Sequence, residues 1–183
     1  KVLLDLYTTC VKESLNEFAY PAKLAGLGYS FDSGYEGVYF SVSGYDESAP
    51  RLFGSVLEQM QDVLISEETF AALKDNVIRD LRSFPRQDAY MIVRDYYYAV
   101  LNARDYTPEA KLEVAETLTL NDVREFARTL YDRAFVEALV HGNIGADRAL
   151  EMTRQLQRTL GVEPIPWEET FAQTYLTQPD GES

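Results

Sequence analysis

Over the first 43 residues the spacing of apolar side chains changes from three-and-four to two, and this change narrows the class of fold more than any other feature. Leu3, Leu6, Tyr7, Cys10, Val11, Leu15 and Phe18 lie along one stripe of a helix. Pro21 is expected to end or bend that helix, with a short restart over Pro21-Ala22-Lys23-Leu24-Ala25 before Gly26 and Gly28 break the pattern. Leu27, Tyr29 and Phe31 then alternate with small or polar residues, and so do Val38, Phe40 and Val42. Asp32-Ser33-Gly34-Tyr35-Glu36-Gly37 supplies turn residues between the two runs, which predicts a β-hairpin.

The helical period returns over residues 52–64, 70–84 and 89–101. Leu52, Val56, Leu57, Met60 and Leu64 are expected inward on the first of these, and Phe70, Leu73, Val77, Leu81 and Phe84 on the second. Ser66 is a helix cap, and Pro85 separates the second helix from the third. Thr107-Pro108 and Thr119-Leu120-Asn121-Asp122 open two shorter helices, the latter carrying Val123, Phe126, Ala127 and Leu130 on one side. Residues 134–141 read as a mostly buried strand. Ala146, Leu150, Thr153, Leu156 and Leu160 mark the inward face of a last helix that Gly161 stops, and a weak strand is expected near 171–176.

This order predicts an α+β fold, with helices packed against a largely antiparallel β-sheet, as one domain over residues 1–183. With 46% hydrophobic residues, the chain can bury a core without metals or disulfides. Three or four legible strands make a small sheet. The chain opens without methionine, directly in an apolar helical pattern, so the first strand or strands are expected upstream of Lys1.

Charge and composition exclude several classes of partner. Thirty acidic residues against 17 basic ones give a formal charge of −13, which repels phosphate backbones and anionic lipid heads, so neither nucleic acid nor membrane is expected as a partner. No stretch approaches the roughly 20 consecutive apolar residues that span a bilayer. Cys10, the single cysteine, has no internal disulfide partner and no CxxC neighbour.

The residues that carry chemistry are sparse. A peptidase zinc site needs two imidazoles on one helix face plus a carboxylate base, and His141 is the single histidine of the chain. No serine or cysteine in a recognisable nucleophile setting accompanies His141, so a structural or capping role is expected for it. Gly26-Leu27-Gly28 follows a helix instead of a strand, which makes it a hinge to the hairpin and not a phosphate loop. The pairs Asp46-Glu47, Glu67-Glu68 and Glu168-Glu169 lack the order of a calcium loop, and acidic groups at helix starts account for two of them. Tyr96-Tyr97-Tyr98, with Tyr90 nearby, is either a peptide-binding surface or a packed helix face, and core packing is the expected outcome.

Several blocks carry a resemblance. Lys12-Glu13-Ser14-Leu15-Asn16-Glu17-Phe18-Ala19-Tyr20, then Ala22, Leu24-Ala25-Gly26-Leu27 and the Tyr29 hairpin, resemble the third homologous domain of the insulysin and pitrilysin family of zinc peptidases, M16. The likeness continues through Val42-Ser43-Gly44-Tyr45, through Arg79, Leu81 and Phe84, and on to Glu137-Ala138-Leu139-Val140-His141-Gly142-Asn143-Ile144.

The resemblance implies an enzyme of four related α+β domains, in two halves that close around a chamber. Its zinc would be held by His-x-x-Glu-His and a distant Glu in the first domain, and its substrate-positioning residues would lie in the fourth. For this chain it implies a non-catalytic domain with no catalytic, cofactor-binding or metal-ligating residue and no cofactor of its own. The implied partners are the other domains of the parent chain and the parent's peptide substrate. It also leaves open an inactive partner chain of a two-subunit peptidase or a respiratory-complex core protein, and peptide-cofactor maturation in place of general proteolysis. Bacterial periplasm or cytoplasm is the setting it favours.

Overall fold

The computed structural model describes residues 1–45, 48–170 and 174–175, with the side chains of all of these but 17–20. Helix α1 (Val2–Leu24) runs through Pro21 without a break. The expected break is absent because Pro21 lies in the last turn, where its fixed φ is already helical and a single backbone bond is forfeited. The helix stops instead at Gly26, whose φ of 73° reverses the chain. The Leu27 N–H donates to the Ala22 carbonyl at 2.9 Å and the Gly26 N–H to that of Lys23 at 3.0 Å, a paired capping pattern that satisfies the last free carbonyls.

The hairpin forms as its alternation predicts. Strand β1 (Gly28–Ser33) pairs antiparallel with β2 (Val38–Ser43) in the register Phe31 to Phe40 and Tyr29 to Val42. Phe31 is buried, whereas Ser30 and Ser41 face solvent and hydrogen-bond to each other at 2.8 Å. The hairpin lies on α1 through a Tyr7–Phe31 edge contact, and on α2 (Ala49–Gln61) through a stacked Phe40–Phe53 pair at 5.7 Å.

The helices that follow begin where their caps place them. Ser66 opens α3 (Glu67–Ser83) by accepting from the Thr69 N–H, and a short 3-10 turn at Phe84–Arg86 leads to α4 (Ala89–Leu101). Thr107 caps α5 (Pro108–Thr117), and Thr119 with Asp122 forms a reciprocal capping box on α6 (Leu120–Thr129). Helix α7 (Ala146–Leu160) ends at Gly161, with φ 65°. Four inward assignments fail: Leu64, Ala146, Leu150 and Thr153 are exposed. The α2 helix stops at Gln61, so Leu64 lies past its end and is exposed while Val63 turns inward. On α7 the buried face passes through Leu156 and Leu160, which leaves Ala146, Leu150 and Thr153 on the open side.

The sheet differs most from expectation. Among the described residues there are two separate two-stranded sheets. Besides the antiparallel hairpin, β3 (Arg133–Ala134) pairs in parallel with β4 (Glu163–Pro164). The strand expected over residues 134–141 reduces to those first residues, and Leu139 is 92% exposed. Its sequence has the apolar character of a buried strand, but among the described residues no neighbouring strand is present beyond β4 to accept its backbone groups. Most of the segment expected as a terminal strand, 171–176, lies outside the described residues. Within it Tyr175 bridges antiparallel to Asn102, and the Ala103 N–H donates to the Thr174 carbonyl at 3.2 Å.

Tyr7 ties these elements together. Its ring meets Phe31, Phe126 of α6 and Tyr131 edge-on, with centroids 5.7 to 6.4 Å apart. Its hydroxyl donates to the Met60 carbonyl at 2.6 Å and so accepts from the Tyr131 hydroxyl at 2.8 Å. We expect Tyr7→Phe to lower the unfolding free energy by about 1–3 kcal/mol, because it leaves a buried carbonyl without a donor. Tyr131→Phe keeps the Met60 bond and has the smaller effect. Urea titrations of the two variants measure the order, and equal losses would contradict it.

Candidate functional site

The residues that carry chemical potential do not converge. His141 is exposed in the irregular segment between β3 and α7. Cys10 is buried on α1, and burial followed by the nearby Glu13 pushes its thiol up from an ordinary value of 9.0 to about 12. Among the described residues no three His, Cys, Asp or Glu side chains are grouped to hold a metal ion. Glu67 and Glu68 occupy the first turn of α3, as expected from the dipole, and Glu169 pairs with Arg133 at 3.0 Å. Asp46 and Glu47 lie outside the described residues.

The tyrosine run is not core. No residue of α4 is buried, and Tyr90, Val93, Tyr97 and Val100 form one stripe with exposures of 58 to 68%. Their spacing of three and four is that of an inward face, so the pattern is right for packing but no described element covers it. Tyr96 is tied to the rest of the protein through an edge contact with Phe84 and a hydroxyl that donates to Glu109. That bond, the largest cause, holds the Glu109 carboxyl below its ordinary range.

An open cleft of about 520 Å³ lies elsewhere. One wall is the hairpin from Glu36 to Phe40, and the other is Arg133 to Glu137. The floor comes from the helical layer: Met60 of α2, Tyr131 after α6, and Leu156 and Leu160 of α7. Trp167 closes one side and meets Phe135 edge-on at 5.4 Å. Sequence reasoning misses this cleft because its lining comes from residues more than 100 positions apart. One usable signal was the strand-like apolar run at 135–140, whose residues lack the pairing that such a run demands.

The cleft is lined mainly by apolar side chains, with Glu36, Arg133, Glu137 and Glu169 among them. For Cys10 the consequence is measurable. The unfolded thiol ionises near 9 and the folded one near 12, so the thiol's contribution to stability is complete below pH 9 and falls as pH rises between those values. We expect a thiol reagent at pH 8 to leave the folded chain unmodified and to label one equivalent in denaturant; rapid labelling of the folded chain would contradict this placement.

Comparison with known proteins gives a consistent result. The family model for the middle or third domain of peptidase M16 matches residues 1–114. The insulin-degrading enzyme of Homo sapiens is 33% identical over 155 residues, 85% of this chain and 15% of that protein. The A-factor-processing enzyme of Saccharomyces cerevisiae is 32% identical over 151 residues, 82% of this chain and 15% of that protein. The crystal structure of pitrilysin superposes with a TM-score of 0.73 at 16% identity, over 88% of this chain and 17% of that one, a likeness of fold. The chain therefore spans about 15% of the length of the curated relatives it matches.

Proposed function

The chain belongs to the peptidase M16 family, through the middle or third domain that its first 114 residues match, and from that premise we propose that it is a non-catalytic, chamber-forming domain of a longer zinc metalloendopeptidase. In this reading residues 1–183 act as one structural domain, and the peptide substrate meets catalytic groups supplied by other domains of the parent chain.

The observation that carries the reading is the donor set. A catalytic zinc takes three protein ligands and leaves one position for water. The described residues offer one histidine, exposed on an irregular segment, and a buried thiol held protonated. These residues do not fit a zinc ion, and no step of peptide hydrolysis is assigned to them. The cleft supports a structural role as well, since its floor of Met60, Tyr131, Leu156 and Leu160 offers apolar area and no reacting group.

The test compares the parent with the 183-residue chain. The parent should cleave a quenched fluorescent peptide, lose that activity to a zinc chelator and regain it with added zinc. The chain by itself should bind no stoichiometric zinc, measured by elemental analysis after dialysis, and should release no product. Tightly held zinc in the chain, with cleavage that a chelator stops, would overturn the assignment.

A further inference from the structure

The outward face of α7 differs in charge from the rest of the chain. Of the seven described α-helices, α7 alone carries more basic than acidic side chains, Arg148, Arg154 and Arg158 against Asp147 and Glu151, in a chain whose formal charge is −13. Positions 148, 151, 154 and 158 follow one another at helical spacing, which puts them on one face. All four side chains are exposed, and they turn away from the face that buries Leu156 and Leu160. Asp147 stands in the first turn, where the positive end of the helix favours a carboxylate. Glu151 lies among the arginines. Arg158 donates to it at 2.6 Å, and that bond, followed by the charges of Arg158, Arg154 and Arg148, holds its carboxyl below the ordinary range. Among the described residues Arg148 and Arg154 make no ion pair of their own. One turn before Arg154, Leu150 is 53% exposed.

We infer that this face is a docking site for a short acidic peptide segment, whose carboxylates pair with Arg148 and Arg154 and displace Glu151 from Arg158, and whose apolar side chain rests on Leu150. Glu151 is then a stand-in, within the chain, for a carboxylate of the ligand. Three arguments select this occupant. A guanidinium fork matches a carboxylate with two parallel hydrogen bonds, and at Arg148 and Arg154 an incoming carboxylate has no ion-pair partner to displace among the described residues. Length is the second. Residues 148–158 span about 15 Å of helix, and at physiological salt a charge acts over about 8 Å. A segment of a few residues therefore meets the arginines alone, whereas a long polyanion or a second copy of the chain also meets the surrounding negative charge. Third, Leu150 offers apolar contact at the edge of the arginines, which a peptide side chain can use and an inorganic phosphate chain cannot.

Fluorescence anisotropy with the parent protein tests the site. The probe is a labelled peptide of D-amino acids, chosen to resist cleavage, in which glutamates flank one leucine. It should bind, and more weakly as salt rises. Arg148→Gln together with Arg154→Gln should raise its Kd about 10-fold, and lysine at both positions should recover part of that loss, since the charge is kept and the fork is not. Glu151→Gln should lower the Kd roughly 3-fold, because the competing carboxylate is gone. A solvated face with no ligand gives no binding, or binding that none of these substitutions moves, and either result overturns the inference. So does a Glu151→Gln variant that binds no more tightly, since Glu151 would then support the arginines and not stand in for the ligand. Displacement of the probe by inorganic tripolyphosphate at equal concentration would overturn the choice of a peptide. The substituted side chains are all exposed, so the variants should melt with the unsubstituted protein. None of these readouts involves zinc or peptide cleavage, so their failure is distinct from failure of the peptidase assignment.

Discussion

The hydroxyl of Tyr7 is the constraint from which the rest of the packing takes its position. It sits at 0% exposure, so its polar atom needs partners, and it finds one on α2 and one just after α6. An unpaired hydroxyl or carbonyl there would cost about as much as a buried methyl group or more. The two bonds therefore fix how far α1 can slide along α2, and the ring contacts with Phe31 and Phe126 fix its rotation. Hairpin, α1 and α6 are then placed relative to one another, and the floor of the cleft, which includes both Met60 and Tyr131, is set by the same contacts.

Local chemistry was legible wherever a signal and its partner are near in sequence. Ser66, Thr107 and Thr119 start helices because each side chain satisfies an N–H three residues on. The period of two in Tyr29-Phe31 and Val38-Val42 is enough for a hairpin, because the turn over residues 34–37 keeps both strands within reach of each other. Pro21 stands near the helix end, where a proline removes little, and Gly26 carries the stop signal.

The errors share one cause, which is that periodicity reports a face that wants covering but not what covers it. Tyr96-Tyr97-Tyr98 and Tyr90 are expected in the core and are exposed. Residues 134–141 are expected as a buried strand, and of these Ala134 alone falls in the described strand β3. Both have the composition of packed elements, and both lack a neighbour among the described residues. The resemblance to the M16 family was legible from scattered blocks, and the family match agrees with it. The cleft was not, because its walls are brought together by long-range folding.

The stripe on α4 has a consequence for how the chain behaves in bulk solution. Four large apolar side chains in one line are adhesive toward any like surface, and a second copy of the chain offers the same line. A formal charge of −13 keeps such copies apart at neutral pH. As net charge falls toward the isoelectric point near 4.5, that repulsion fades. Mild acid thus weakens the charge repulsion that opposes contact between two such stripes.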